Sequence, residues 1–419
     1  MARKDDLILH NIGKLMTFIG SGPVPGAEMD RIEVIEGAAL AVSKGTITHV
    51  GKEDAIWKVA DLSKRASCID CEGRCVVPGF IDPHTHAVFS GTREQELGMK
   101  LKGASYMDIL RSGGGILRTV RETRSATLQD LVHQMDARLD MMMVYGTTTA
   151  EIKSGYGLDR VTELKLLRAI KTSKHPVNKV ATFMGPHAVP PEYRGKEEEF
   201  IDLMIGLLPE IKEEGLAAFA DIFCEKGVFD AKLSRKFLTA ARGAGLSLKI
   251  HSDEIENIGG TLVGAELNAA SADHLLVSTE KDLSALKRSG TVPVLLPATL
   301  MTLFEDRVPM VREMLAMGLP VALATDLNPN CMVPSMQFVQ ALACYRFRMT
   351  PEQVLAASTV NAAHALGLSA RKGRLASGYD ADILVLKDRS FEHVVYAPGT
   401  NHVDKVIIGG RMVVDGAGC

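Results

Sequence analysis

From about residue 76 to residue 370, apolar strand-like runs alternate with amphipathic helical segments. The clearest helix covers residues 127–145, where apolar residues recur at helical spacing and Thr127 can cap the N-terminus. Eight strand–helix repeats in this length of chain predict a closed (β/α)8 TIM barrel. The eight strand-like runs are residues 76–82, 147–152, 179–184, 217–223, 247–250, 271–275, 291–296 and 321–324.

Both ends of the chain have a different character from the middle. Residues 1–75 and 371–419 contain short β-forming runs separated by glycines. Because chain termini often lie close together, one small β-sandwich domain formed from both termini explains this pattern. The predicted fold class is therefore α/β, with a barrel at residues 76–370 and a composite β domain at residues 1–75 and 371–419.

An open doubly wound sheet is the alternative fold. Such a sheet usually carries a glycine-rich phosphate turn after its first strand. The run Gly113-Gly114-Gly115 follows no predicted strand and has no Lys-Ser/Thr after it. We interpret it as a loop before a helix that covers the site.

Composition excludes several classes of partner. The formal net charge is -3 and no dense Lys/Arg run is present, so we expect no nucleic-acid partner. No apolar run reaches the ~18 residues of a membrane span, and the first residues lack a signal-peptide pattern. We therefore expect a cytoplasmic protein with no membrane partner.

Polar residues cluster where the predicted strands end, which is where barrels place their chemistry. After the first strand, His84 and His86 are two residues apart, so on an extended chain both imidazoles face the same side. The other residues at strand ends are Glu151, Lys153, Tyr156, His187, His251, Glu254, His274, Asp326 and Asn328.

Four of these residues form a candidate metal site. His84, His86, His251 and Asp326 make a mixed nitrogen and oxygen donor set that suits zinc or iron. We expect one Zn or Fe ion per chain, with a position left for a water whose pKa the ion lowers. Asp326 then serves both as a ligand and as the acceptor of the water's proton.

The short motifs HTH, HSDE, ADH and ATD resemble the amidohydrolase superfamily. The longer motifs HTHAVFSGTR, EIKSGYGL, MGPHAVP, HSDE and TDLNPN together resemble the imidazolonepropionase family within it. The resemblance covers essentially the whole chain. It implies hydrolysis of the lactam C–N bond of 4-imidazolone-5-propanoate to N-formimidoyl-L-glutamate, a step of histidine degradation.

Further roles follow from this reaction. Arg93 follows the HTH motif in the same loop, and a forked guanidinium suits a propionate carboxylate. The resemblance implies that Tyr156 and His187 contact substrate. Glu254 can bind substrate and relay a proton to the leaving nitrogen, whereas His274 can stabilise the oxyanion. The sequence alone does not assign separate catalytic roles to Glu254 and His274.

The chain departs from the resembled family in one loop. Many members read Asn-Pro-Gly-Ser where this chain has Asn328, Pro329, Asn330 and Cys331. We predict that Asn328, Asn330 and Cys331 contact substrate. Some relatives also place a metal-bridging lysine after the fourth strand, where this chain has Lys226, whereas Lys153 follows the second. A single metal is therefore favoured, with a second metal at Lys226 left open.

Two other functions stay open. One is an aminohydrolase that deaminates a heterocyclic base with the same metal site, and the other is a non-catalytic barrel scaffold. A scaffold typically loses metal ligands, and all four are present. We expect a small-molecule substrate with a carboxylate, and a homodimer.

Overall fold

The structure is a computed structural model that describes residues 4–103 and 114–416. Part of the glycine run, Gly113, lies outside the described residues, and so does most of the loop that it was predicted to form. The strands in chain order are β1 (Asp5–Thr17), β2 (Glu33–Ser43), β3 (Thr46–Lys52), β4 (Leu62–Asp70), β5 (Cys75–Pro78), β6 (Phe80–Asp82), β7 (Thr147–Lys153), β8 (Asn178–Phe183), β9 (Phe219–Ala220), β10 (Phe223–Cys224), β11 (Ser247–Ser252), β12 (Ser271–His274), β13 (Val292–Leu295), β14 (Ala322–Leu323), β15 (Ile383–Leu386), β16 (Val403–Ile408) and β17 (Arg411–Asp415).

Helices connect the barrel strands and flank them. Within the described ranges, the α-helices are Glu53–Val59, Glu94–Leu101, Ile116–Ser125, Leu128–Val144, Arg160–Thr172, Glu197–Ile205, Leu208–Glu213, Ala231–Gly243, Gly260–Glu266, Glu280–Ser289, Pro297–Thr302, Val311–Ala316, Met336–Phe347, Pro351–Ala357, Val360–Ala365 and Glu392–Tyr396. None of these helices combines the length and apolar character that a membrane crossing requires.

The two ends of the chain share one sheet, as predicted. Its strand order is β17-β16-β15-β5-β1-β2-β3, and β4 also pairs with β1. The long strand β1 is the centre of this sheet, because it pairs antiparallel with β2 along its length and parallel with β4 and then β5. The predicted sandwich domain is thus built on one continuous sheet of eight strands.

The predicted first barrel strand, residues 76–82, is in fact two strands. Val76 and Val77 in β5 pair with β1 and β15 of the terminal sheet, and only β6 belongs to the barrel. Gly79 lies between the two strands, and a larger residue would clash there because its Cβ would lie 2.3 Å from Oγ1 of Thr148. The terminal sheet therefore extends past residue 75 to Pro78.

The barrel sheet has the order β14-β13-β12-β11-β9-β8-β7-β6. Strand β9 pairs with the start of β11, and β10 pairs with the end of β11. All pairings in this sheet are parallel. The sheet closes just beyond β6 and β14, where Thr85 bridges to Leu327 and the Asp326 amide donates to the His84 carbonyl at 3.1 Å. This is the predicted (β/α)8 barrel.

The main apolar core lies between the barrel strands and the surrounding helices. Helix Leu128–Val144 is typical, since Leu131, Met135 and Leu139 on one face are fully buried. Thr127 and Asp130 form the capping box that begins this helix. The helices thus cover the barrel strands, and the candidate site lies at the ends of those strands.

Candidate active site

Four side chains converge at the C-terminal edge of the barrel, as the sequence predicted. Oδ1 of Asp326 lies 3.5 Å from Nε2 of His84 and 3.6 Å from Nε2 of His86. Nε2 of His251 is 3.3 Å from Nε2 of His86. Among the described residues, the buried atoms Nε2 of His84 and Oδ1 of Asp326 have no hydrogen-bond partner. Unpartnered buried polar atoms are costly unless a ligand satisfies them.

The histidines are in the protonation state that a metal requires. Burial lowers the pKa values of His84 and His86 well below the ordinary value. Burial likewise lowers the pKa of His251 to about 3. All three imidazoles are therefore neutral near pH 7, with lone pairs available for an ion. Thr299 donates to Oδ2 of Asp326 at 2.6 Å, which leaves Oδ1 facing the histidines.

Two carboxylates that the sequence analysis missed orient these rings. Nδ1 of His84 donates to Oδ2 of Asp273 at 2.6 Å, and Nδ1 of His251 donates to Oδ2 of Asp221 at 3.0 Å. A carboxylate on one ring nitrogen directs the other nitrogen towards a metal and raises its basicity. The available signal was an aspartate within each of the predicted strands 217–223 and 271–275.

Beneath this layer lies a fully buried group of charges. Lys153 contacts Glu151 at 2.9 Å and Asp221 at 2.7 Å, and its ammonium is 3.7 Å from Asp273. Lys249 contacts Glu151 at 2.8 Å and donates to the Pro83 carbonyl at 2.6 Å, next to His84. The pairs Glu151/Lys153 and Lys249/His251 are each two residues apart, so they point into the barrel together.

The two lysines considered for a second metal site, Lys153 and Lys226, both form ion pairs in this structure. The three carboxylates raise the pKa of Lys153 despite the opposing effect of its burial, so it stays an ammonium engaged in ion pairs. Lys226 is largely exposed and pairs with Glu256 at 2.7 Å. It does not line the cavity above the four converging side chains.

The donor set fits a transition-metal ion. Neutral imidazoles and a carboxylate are the donors that such ions prefer. The ligand atoms of His84, His86 and Asp326 lie within 4.8 Å of one another, and those of His84, His251 and His274 form a second such group. His84, His86 and Asp326 form one compact group, and His251 contacts His86 from the opposite strand.

A cavity of about 420 Å³ opens above these residues. Its lining includes most of the predicted substrate contacts, together with Thr299, Leu303 and Phe304, which the sequence analysis did not select. The predicted residues that line it are His86, Arg93, Tyr156, His187, His251, Glu254, His274, Asp326, Asn328 and Asn330.

Aromatic rings form one side of this cavity. His187 stacks on His86 with ring centroids 4.7 Å apart, and Tyr156 contacts both rings. Nδ1 of His187 donates to the Gly155 carbonyl at 3.1 Å, so its Nε2 is the nitrogen that can accept a hydrogen bond. Burial lowers the pKa of His187 to about 4, which keeps the ring neutral.

Glu254 and His274 lie together, with Oε1 of Glu254 3.8 Å from Nδ1 of His274. Burial raises the pKa of Glu254 above the ordinary value for a glutamate. His274 has φ 81° and Asp326 has φ 51°, both in the left-handed region that non-glycine residues rarely adopt. Strain of this kind persists where the surrounding structure holds a side chain in a required direction.

Cys331 is the one predicted substrate contact that the structure does not bring into the cavity. It is fully buried, and its Sγ donates to the Thr325 carbonyl at 3.7 Å. Its backbone amide donates to Oδ1 of Asn328 at 3.0 Å. Side-chain direction in a tight turn depends on backbone angles, so the motif could not indicate that Cys331 points inward.

The chain matches the Amidohydrolase family over residues 75–413, a range that includes all four converging residues. It therefore belongs to the amidohydrolase family, whose members are metal-dependent hydrolases. An E. coli guanine deaminase shares the fold, with a TM-score of 0.74 at 14% identity, covering 99% of this chain and 99% of that one.

Sequence relatives define the group more narrowly. An imidazolonepropionase from Bacillus velezensis is 45% identical, covering 100% of this chain and 99% of that protein. One from Symbiobacterium thermophilum is 44% identical, covering 99% of this chain and 98% of that protein. The chain belongs to the imidazolonepropionase family, which confirms the resemblance given by its motifs.

Proposed function

We propose that this protein hydrolyses the lactam C–N bond of 4-imidazolone-5-propanoate to give N-formimidoyl-L-glutamate. The observation that carries the proposal is one cavity whose lining includes His86, His251 and Asp326 as well as Arg93. His84 lies against this lining, with its Nε2 3.5 Å from Oδ1 of Asp326. The substrate has a ring amide, which a metal-activated water can hydrolyse, and a side-chain carboxylate, which a guanidinium can bind. The names of the full-length relatives support the same reaction.

The four converging residues would hold a single zinc or iron ion, which when bound makes a water nucleophilic at neutral pH. Zinc and iron both suit this mixture of imidazole and carboxylate. Asp273 and Asp221 keep two of the rings in the required tautomer. One ion is favoured because Lys153 is engaged in ion pairs and Lys226 lies away from the cavity.

The chain's own groups supply the proton transfers. Asp326 accepts the proton of the attacking water through Oδ1, while Thr299 holds Oδ2. His274 lines the cavity and stabilises the developing oxyanion. Glu254, whose burial favours the protonated form, delivers a proton to the leaving ring nitrogen.

Substrate orientation comes from the rest of the lining. Arg93 binds the propionate, and the neutral ring of His187 accepts a hydrogen bond from the substrate ring at Nε2. Tyr156 packs against His187 and His86 and completes this wall. Asn328 and Asn330 contact the substrate from the loop after β14.

The direct test is an assay of the purified protein with 4-imidazolone-5-propanoate, with and without chelator. Ring opening that disappears on chelation and returns with Zn²⁺ or Fe²⁺ supports the proposal. Release of ammonia from a neutral heterocycle such as guanine, with no ring opening of the imidazolone, would favour a deaminase instead. No hydrolysis by the metal-loaded protein would favour the scaffold.

The homodimer and the cytoplasmic location stay predictions. Light scattering of the purified protein tests the first, and cell fractionation tests the second. A small anionic substrate, with neither nucleic acid nor membrane as partner, is part of the proposal and is consistent with the net charge of -3.

A further inference from the structure

A second cation lines the cavity beside Arg93. Lys100 lies near the end of helix Glu94–Leu101, and its Nζ donates to Oδ1 of Asn330 at 2.5 Å. The side chain is partly buried, and the sequence analysis did not select it. Partial burial of an ammonium costs free energy of desolvation, and contacts with neighbouring polar groups must offset that cost.

The positive charge of Arg93 is already compensated. Its Nε and Nη2 donate to Oε2 of Glu96 at 3.0 and 2.8 Å. The other oxygen of Glu96 accepts from the Gly115 amide at 2.7 Å, so this buried carboxylate is fixed in place. Part of the guanidinium fork is therefore occupied before any substrate arrives.

Lys100 has no such compensation. In the part of the chain that the structure describes, no carboxylate oxygen forms an ion pair with its Nζ. Among the described residues, two cations and one carboxylate thus leave one positive charge without an ion-pair partner at this end of the cavity. Burial and the nearby guanidinium of Arg93 both lower the pKa of Lys100, as expected for two cations held close together without a second anion.

We propose that the ammonium of Lys100 binds the carboxylate of the substrate side chain together with Arg93, and thereby selects anionic over neutral side chains. The inference rests on the proposed function for the identity of the substrate. An ammonium has three N–H donors, and one bond to Asn330 leaves two for a carboxylate. A bound carboxylate brings the group to two positive and two negative charges, which removes the unpaired charge from the partly buried site.

Asn330 acts here as a positioning residue for Lys100. At this place the resembled family often has glycine, which has no side-chain oxygen to accept the bond. The departure from the family motif therefore links the loop after β14 to helix Glu94–Leu101 through a polar contact. This contact holds the long lysine side chain in one position before substrate binds. Less side-chain conformational entropy is then lost when substrate binds.

The test compares Lys100→Met with Lys102→Met, a matched control at an exposed position two residues further on. Each metal-loaded protein is assayed with 4-imidazolone-5-propanoate and with its neutral propionamide counterpart. We expect Lys100→Met to raise KM for the acid about 10- to 100-fold, as for loss of a charged hydrogen bond. Its KM for the amide and its kcat should change little, and Lys102→Met should behave as wild type.

A binding measurement separates failure of this inference from failure of the proposed function. Calorimetry with 3-(imidazol-4-yl)propanoate, which has no lactam to hydrolyse, should show weaker binding to Lys100→Met and an unchanged affinity for Lys102→Met. If wild type binds this anion through Lys100 yet does not open the imidazolone, the proposed reaction fails and the inference stands. Equal losses on acid and amide, or no loss on either, would overturn the inference.

Asn330→Gly gives an independent readout of the positioning role. Without the acceptor, Lys100 keeps its charge but loses its fixed position, so KM for the acid should rise by less than in Lys100→Met. Combining both substitutions should raise KM by less than the product of the two separate increases, because part of the effect of Asn330→Gly is exerted through Lys100. Full additivity of the two effects would show that Asn330 does not act through Lys100.

Discussion

Asp273 accepts a hydrogen bond from Nδ1 of His84 at 2.6 Å, across 189 residues of sequence. Asp221 holds His251 in the same way, whereas Nδ1 of His86 has no partner among the described residues. The three imidazoles at the site are thus unequal. Two have a fixed tautomer, and the third is oriented by its stacking on His187.

Asp273→Asn should lower the affinity for the metal about 10- to 100-fold, because an amide orients His84 less strongly and does not raise its basicity. Competition with a chromophoric chelator measures this affinity. Asp253→Asn is the matched control, since Asp253 is also a buried carboxylate but accepts from the hydroxyls of Thr261 and Ser278. Equal affinities in the two variants would contradict the role given to Asp273.

Removal of the metal should lower the thermal unfolding midpoint. An ion that binds only the folded chain stabilises it by about 2.7 kcal/mol when its concentration is 100 times Kd. Differential scanning calorimetry of wild type with and without added Zn²⁺ measures the shift. The Asp326→Ala protein, which lacks one donor, should show a much smaller shift at the same Zn²⁺ concentration. A full shift in this variant would mean that the ion binds elsewhere.

Arg93→Lys should raise KM for 4-imidazolone-5-propanoate even though the charge is kept. Lysine lacks the planar fork that contacts Glu96 and a substrate carboxylate at the same time. We expect an increase of about tenfold in KM, equivalent to the loss of one charged hydrogen bond. Arg118→Lys on the neighbouring helix, where the arginine pairs with Glu122, is the control and should leave KM unchanged. An unchanged KM in Arg93→Lys would show that substrate binding does not require the guanidinium fork.

The pH profile of kcat should have an alkaline limb set by Glu254. Because burial raises its pKa, Glu254 keeps its proton to a higher pH than an exposed glutamate. As a proton donor it is active when protonated, so kcat should fall as the pH rises through this raised pKa. Glu254→Gln should lower kcat by about 10²- to 10⁴-fold and remove the limb. A limb that persists in Glu254→Gln must belong to another group.

The barrel and the convergence of the four candidate metal ligands were predictable for a physical reason. Buried parallel strands consist mainly of apolar residues, so they are recognisable in the sequence as apolar runs. The first polar residues after such a run lie at the edge of the barrel where the strands end. His84, His86, His251 and Asp326 each follow that rule. The predicted cavity residues Arg93, Tyr156 and Glu254 follow the same strands by a few residues, so proximity to the site placed them correctly.

Contacts between strands were not predictable, because they depend on register. Asp273 lies directly opposite His251 in the β11–β12 pairing, yet its carboxylate contacts His84. No local pattern contains that information. The boundary at Gly79 was missed for a similar reason, since the requirement for glycine arises from Thr148 on a neighbouring strand.

The join between the first and last barrel strands has a consequence for synthesis of the chain. Asp82 accepts hydrogen bonds from the amide and hydroxyl of Thr325, which is 243 residues away, and the Thr85–Leu327 bridge lies beside them. His84 and His86 leave the ribosome early, but Asp326 follows only when three-quarters of the polypeptide has been translated. A nascent chain shorter than this lacks one of the four converging side chains, so the proposed metal site can be complete only after the last barrel strand has docked.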